Sequence, residues 1–202
     1  MIAVVDYGIG NLQSVHKALG SLSIDSKVTD LKKDIDDASS IIFPGVGSFG
    51  DCLSNLENKN LLDPLMYAIK CGKPFLGICL GLQILFESSE ESPGQDGLGV
   101  FKGNISKIEF ETNDLKVPHM GWNQVDIKKD SRIFKGIPDK SWFYFVHSYK
   151  FDNDPLITDC TSEYGADFSA LISSDNVFAS QFHPEKSSNV GLQFLKNFSE
   201  LN

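Results

Sequence analysis

Cys79 sits between Gly77-Ile78 and Leu80-Gly81, after the apolar pair Phe75-Leu76 and before Leu82, Ile84, Leu85 and Phe86. The pattern predicts a strand that turns sharply into a helix. Small residues on both sides permit a strained backbone that lifts the cysteine over the end of a sheet. The thiolate is the attacking form of cysteine, and free N–H groups at the start of a helix near Leu80 favour it and can bind an oxyanion. A plainer reading stays open at this point, because free cysteine also packs well inside a tight turn.

A base is present far along the chain. Phe178-Ala179-Ser180-Gln181-Phe182 alternates as a strand and runs into His183-Pro184-Glu185. Two positions apart in extended backbone, His183 and Glu185 can point the same way, and Pro184 holds His183 towards extended geometry. A histidine beside a cysteine, with a carboxylate fixing its tautomer, is the arrangement a sulfur nucleophile needs.

A third element offers charge stabilisation. Ile41-Ile42-Phe43 reads as a short strand ending in the glycine-rich Pro44-Gly45-Val46-Gly47-Ser48-Phe49-Gly50. Such loops present backbone N–H groups to anions. Acyl-transfer sites of this layout draw one oxyanion donor from the residue after the nucleophile, here Leu80, and another from an earlier β–α loop, here Val46 and Gly47.

The elements that must position these groups alternate. Ile2 to Val5 reads as a strand, Leu12, Val15 and Leu19 as one face of a helix, then Val28, the Ile41 strand, and a helix carrying Leu61, Leu62, Leu65, Met66 and Ile69. Strand–helix alternation predicts an α/β fold with a central, mostly parallel sheet flanked by helices and functional loops at the carboxyl ends of its strands. Beyond Pro93-Gly94 the second half is β-rich, with strands over Ile105 to Phe110, Val125 to Ile127, Trp142 to Val146, Leu171 to Ser173 and Val177 to Phe182. A final helix carries Val190, Leu192, Phe194, Leu195 and Phe198.

With 202 residues, 41% hydrophobic, and no linker or repeat, the chain reads as a single domain over residues 1–202. The four cysteines show neither metal spacing nor a disulfide rhythm, the start of the chain reads as a strand rather than a secretory signal, and no apolar run reaches the roughly 20 residues of a membrane span. These features predict a reducing, cytoplasmic setting with no membrane, metal or cofactor. A net charge of −9 argues against nucleic acid. The acidic runs Asp30 to Asp37 and Glu87 to Glu91 read as solvated surface, with a local exception open near Glu91. Gly8-Ile9-Gly10 fails as a dinucleotide fingerprint, since Gln13 occupies the third glycine position.

Pro44-Gly45-Val46-Gly47, Gly77-Ile78-Cys79-Leu80-Gly81-Leu82-Gln83 and His183-Pro184-Glu185, in that order, resemble the class I glutamine amidotransferase family, whose architecture is flavodoxin-like. The Pro44-Gly45-Val46-Gly47 loop, the opening Val5-Asp6-Tyr7-Gly8-Ile9-Gly10-Asn11-Leu12, Val117-Pro118-His119-Met120-Gly121-Trp122-Asn123 and Tyr144-Phe145-Val146-His147-Ser148-Tyr149 are similar to the branch serving as glutaminase subunits of imidazole glycerol phosphate synthases. The resemblance implies that Cys79 attacks the amide of L-glutamine, that His183 protonates the departing ammonia, and that Glu185 orients His183. It implies glutamine contacts at Gly45, Gln83, Glu91, Ser148 and Tyr149, with serine at 148 where threonine is usual. It further implies heterodimer formation with a (β/α)8-barrel cyclase that receives the ammonia, through an interface including Asn11, His119, Met120, Trp122 and Tyr144.

The same branch implies a resting loop that does not present the Val46 N–H to the oxyanion, so the isolated chain is expected to hydrolyse glutamine slowly. A β-branched Val46 resists free peptide rotation. Two local questions stay open: whether Asn11 caps the first helix instead, and whether Trp122 packs in the core rather than in an exposed patch with Met120. His147 is the rival base, while His16 reads as a surface residue. A paralogue feeding ammonia to a sugar amidotransferase and a non-catalytic module on the same fold remain alternatives.

Overall fold

The apolar residues Ile2–Val5 are all buried and form the first strand of the sheet. A computed structural model describes residues 1–110 and 115–201. In chain order the elements are β1 (Ile2–Val5), α1 (Leu12–Ser21), β2 (Ser26–Thr29), α2 (Lys32–Asp37), β3 (Ser40–Gly45), α3 (Phe49–Asn58), α4 (Leu62–Lys70), β4 (Phe75–Cys79) and α5 (Leu80–Gln83). They continue with β5 (Ser88–Ser89), β6 (Asn104–Lys107), β7 (His119–Gln124), β8 (Asp126–Ile127), β9 (Trp142–His147), β10 (Tyr149–Lys150), β11 (Thr158–Glu163), β12 (Asp167–Ser174), β13 (Val177–Ser180) and α6 (Ser188–Ser199).

The main sheet has eight strands in the order β2-β1-β3-β4-β13-β12-β11-β8. From β2 to β13 the neighbours are parallel; β12, β11 and β8 continue the sheet antiparallel. The parallel part follows the flavodoxin-like order, and the order in which successive strands are added reverses between β1 and β3, where such sheets bind ligands at their carboxyl ends. Alternation along the strands splits the core in two. Ile41, Phe43 and Phe75 pack with Leu53, Leu56 and Leu65 on one face, whereas Ile42, Leu76 and Ile78 pack with Val15, Leu19, Phe194 and Leu195 on the other.

Several expectations shift. The helix after Cys79 ends at Gln83, and the chain then tightens through Leu85 N–H to Leu82 O and Phe86 N–H to Gln83 O. Leu82, Ile84, Leu85 and Phe86 are all buried, so their spacing marks an enclosed segment rather than one face of a longer helix. The strand expected over Ile105 to Phe110 stops at Lys107, and that expected over Val177 to Phe182 stops at Ser180. The acidic runs are solvent-exposed as expected at Asp30, Asp36, Asp37, Glu87 and Glu90, though some of their members are also bonded. Asp34 in α2 bonds Thr29 and Lys27, while Glu87 and Glu90 accept the Gly103 and Lys107 N–H groups.

Candidate active site

Four parallel strands deliver the site, because the loops after β1, β3, β4 and β13 leave the same edge of the sheet. The register sets Gly45 opposite Cys79 and Ser180 opposite Ile78. Cys79 adopts φ 57° and ψ −105°, a strained conformation that costs a side-chain-bearing residue roughly 1–3 kcal/mol and persists only where packing enforces it. The flanking glycines allow that packing. A Cβ at Gly77 would lie 2.4 Å from the Gly81 oxygen, one at Gly81 would lie 2.1 Å from the Phe43 oxygen, and one at Gly45 would lie 2.8 Å from the Leu80 Cβ. The predicted elbow is present. Gly45 packs behind it as a spacer rather than standing among the side chains around the cavity.

Cys79 and His183 open onto one cavity of about 290 Å³, whose wall also includes Val46, Gly47, Leu80 and Gln83. The opposite side is formed by Glu91, Pro118, Val146, His147, Ser148 and Tyr149. This volume is at the small end for ligand sites and suits a ligand of amino-acid size. The Nδ1 atom of His183 lies 2.9 Å from Glu185 Oε1, and both side chains are almost wholly buried. Nε2 of His183 is buried without a hydrogen-bond partner, leaving one face of the base uncommitted. Burial disfavours the imidazolium, but the neighbouring Cys79 and the bonded Glu185 outweigh it and raise the His183 pKa to about 10.

The loop after β13 is held from β9. The His183 N–H donates to the Tyr144 oxygen at 2.9 Å, and the buried Ser187 hydroxyl accepts the Tyr144 N–H at 3.0 Å while donating to the His183 oxygen at 2.6 Å. His147, the rival base, is spent elsewhere. Its Nδ1 lies 2.8 Å from the Tyr149 carbonyl and its Nε2 lies 2.9 Å from His119 Nδ1. Burial, the largest influence, depresses the His147 pKa to about 3.

The cradle of the cavity contains one residue that the motifs do not single out. Gln181, fully buried, donates from Nε2 to the Cys79 sulfur at 3.6 Å and accepts at Oε1 from Gln83 Nε2 at 3.3 Å. It lies two positions before His183 on the same strand path, a period-2 relation that would have found it. Gln83 Nε2 also reaches the Tyr149 oxygen at 3.3 Å, and the Cys79 thiol reaches the Val146 oxygen at 3.6 Å. Glu91 accepts the Phe49 N–H at 2.7 Å, so it caps α3 from the cavity wall.

The two expected oxyanion donors differ. Leu80 is the first residue of α5, so its N–H has no partner inside the helix. The Val46 N–H, however, donates to the Tyr7 hydroxyl at 3.1 Å and is not offered to the cavity.

The residues expected at an interface separate by strand alternation. Along β7, Met120 and Trp122 are 62% and 47% exposed, whereas His119 turns inward and stacks between Phe145 and Tyr164. His119 therefore cannot offer its side chain to a partner, and Trp122 is not a core residue. Tyr144 pairs across from Trp122, with the rings edge to face at 6.1 Å. Asn11 stands at the N-cap position of α1 without a side-chain cap bond; its carboxamide oxygen accepts from the Ser14 hydroxyl. His16 is half-buried rather than free on the surface, with Nδ1 3.0 Å from the Ser26 hydroxyl.

A family model described as glutamine amidotransferase class-I matches residues 3–201. The chain is 48% identical to the imidazole glycerol phosphate synthase subunit HisH of Pyrococcus furiosus, covering 99% of this chain and 98% of that protein. It is 46% identical to the HisH subunit of Caldanaerobacter subterraneus, covering 100% and 98%. Among solved structures, PurLQS from Thermotoga maritima superposes with a TM-score of 0.76 at 20% identity, covering 98% of this chain and 97% of that one.

Proposed function

We propose a function from one premise: the chain belongs to the class I glutamine amidotransferase family, among the HisH subunits of imidazole glycerol phosphate synthase. It is a glutamine-hydrolysing enzyme, the glutaminase half of that synthase in histidine biosynthesis. We read residues 1–202 as a single amidotransferase domain.

The reading assigns roles as follows. Cys79 attacks the side-chain amide carbon of L-glutamine, and the Leu80 N–H, with a donor from the Val46-Gly47 loop, receives the developing oxyanion. His183 gives its proton to the departing nitrogen, releasing ammonia and leaving a thioester on Cys79. His183 then takes a proton from water, whose oxygen attacks the thioester carbon, and glutamate leaves as the thiol reforms. Glu185 fixes the His183 tautomer through Nδ1, so that Nε2 faces the reacting atoms. Gln83, Glu91, Ser148 and Tyr149 hold the substrate. The observation that carries this reading is the strained Cys79 sharing a cavity with His183, whose second nitrogen is tied to Glu185.

The partner is a cyclase subunit that uses the ammonia, and we assign it a (β/α)8 barrel. Met120, Trp122 and Tyr144, with Asn11, form the surface that meets it; the exposure of the first two is the support. All four cysteines are free, which fits a reducing cytoplasm. Among the described residues no helix is long and apolar enough to cross a membrane.

The test is glutamate release by the purified chain, with and without the cyclase and its nucleotide substrate. Cys79→Ala and His183→Ala are expected to be inactive, and Trp122→Ala to weaken stimulation while leaving unstimulated hydrolysis in place. Activity in His183→Ala together with its loss in His147→Ala would overturn the assignment.

A further inference from the structure

The ring of His147 lines the cavity, yet both of its nitrogens bond the protein. Nδ1 lies 2.8 Å from the Tyr149 oxygen, and a carbonyl can only accept, so the proton sits on Nδ1. Burial lowers the pKa of His119 to about 4 and of His147 to about 3, so both rings are neutral at neutral pH. The bare Nε2 of His147 must then accept. Its partner at 2.9 Å, His119 Nδ1, therefore carries a proton as well, which leaves His119 Nε2 to accept from Asn123 Nδ2 at 3.4 Å. The Asn123 amide is itself oriented, since it donates to the Glu163 oxygen at 2.7 Å and accepts the Gln124 N–H at 2.8 Å. One arrangement of protons satisfies the whole chain of bonds.

That chain ends where the substrate is held. The His147 imidazole bonds two residues along its own backbone, closing a tight loop around Ser148, which lines the cavity. Strand β10, which begins at Tyr149, has only two residues and lies at the edge of a three-stranded sheet, so its own ladder anchors it weakly. Two further bonds hold the segment. The Ile108 N–H reaches the Ser148 oxygen at 2.9 Å, and His147 Nδ1 takes one lone pair of the Tyr149 oxygen while Gln83 Nε2 takes the other at 3.3 Å. Aromatic rings enclose the two imidazoles, with His119 4.0 Å from Tyr164 and His147 5.1 Å from Phe168 between centroids, a low-dielectric setting that strengthens each bond.

We propose that His147 is a positioning residue for glutamine: held by His119 in its Nδ1–H form, it fixes the Tyr149 carbonyl and so sets the backbone that presents Ser148 and Tyr149 to the substrate. The inference rests on the reading of this cavity as the glutamine site. His147 moves no proton in the reaction.

The experiment compares glutamine hydrolysis by wild type, His147→Phe and His147→Asn, each with the cyclase and its nucleotide substrate present. Phenylalanine keeps a ring and gives no donor, whereas asparagine carries an N–H the same number of bonds from Cβ as Nδ1. In His147→Phe, KM is expected to rise about fivefold, the scale of one neutral hydrogen bond, while kcat falls by no more than about twofold and keeps its pH profile. His147→Asn should recover most of the loss in KM. An unchanged KM in His147→Phe, or an asparagine variant no better than the phenylalanine one, would overturn the proposal. So would a collapse of kcat with an altered pH profile, which would make His147 the base. Should His147→Phe fail to fold, the nitrogen-15 spectrum of wild type decides: both imidazoles are expected as neutral Nδ1–H tautomers at pH 7, and an Nε2–H form or a cation at 147 would sink the idea. Labelling of Cys79 in wild type by 6-diazo-5-oxonorleucine separates the two readings. If wild type does not label, the glutamine site itself is misassigned; if it labels and all three proteins share one KM, only the positioning role fails.

Discussion

The imidazoles of His119 and His147 share a buried hydrogen bond, Nδ1 to Nε2 at 2.9 Å, and His147 is itself part of the cavity wall. The bond joins β7, which carries the exposed Met120 and Trp122, to the strand end that carries Ser148 and Tyr149. Two like cations cannot occupy it.

Acid stability follows from that pair. Burial lowers the pKa of His119 to about 4 and of His147 to about 3, against an ordinary value of 6.5 in the unfolded chain. Below pH 6.5 the unfolded chain therefore binds protons that the folded chain refuses, and stability falls as pH drops towards 4. His183 works in the opposite direction. Its pKa, raised to about 10, contributes stability present below 6.5 and lost as pH rises towards 10. Urea unfolding from pH 4.5 to 9 should show a histidine-derived maximum near pH 6.5, with an acid limb that weakens in His119→Gln. An acid limb identical in wild type and variant would contradict a neutral, buried His119–His147 pair.

Gln181 offers a test of how the sulfur is held. Its Nε2 reaches Cys79 only because Gln83 fixes the other end of the amide. Gln181→Met should lower kcat about tenfold or more, the scale of a lost hydrogen bond to a charged group, with a smaller change in KM. Gln181→Glu should cost more, since an acceptor then faces the thiolate. Equal kcat in wild type and Gln181→Met would show that the contact carries no catalytic weight.

Glycine substitutions separate the elbow from ordinary turns. Gly81→Ala places a Cβ 2.1 Å from the Phe43 oxygen, so the turn must move; loss of activity and of at least about 1–3 kcal/mol is expected. A methyl group added at Gly20 in α1 would meet nothing within 4 Å, and Gly20→Ala should stabilise by roughly 0.5–1 kcal/mol. Thermal unfolding of both variants decides the point, and a neutral Gly81→Ala would count against the strained turn.

The strands and helices legible in the sequence are those with a strong apolar period. Ile2–Val5, the Ile41 strand and the last helix announce themselves that way, and the Cys79 elbow and the His183-Pro184-Glu185 turn by residue type and spacing. Strand β11 does not, because Thr158–Glu163 is polar. It is buried by mutual satisfaction: the Thr158 hydroxyl bonds Ser169, and Asp159 accepts from Ser173 and pairs with Lys129. Helix α3 is hidden by the glycines around it, although Ser48 caps it by accepting the Asp51 N–H. His119 belongs inside rather than at the expected interface because its segment is the strand β7, whose alternation sends His119 inward and Met120 outward. No local pattern reports that Tyr7 and Val46, 39 positions apart, would meet.

The central claim is tested most directly by trapping the intermediate. Purified chain is mixed with carbon-labelled glutamine, quenched in acid and mapped by peptide mass spectrometry. A glutamyl thioester on the peptide containing Cys79, absent in Cys79→Ala, is the predicted result. Continued release of glutamate with no adduct at Cys79, or with the adduct at Cys52, Cys71 or Cys160, would contradict the account.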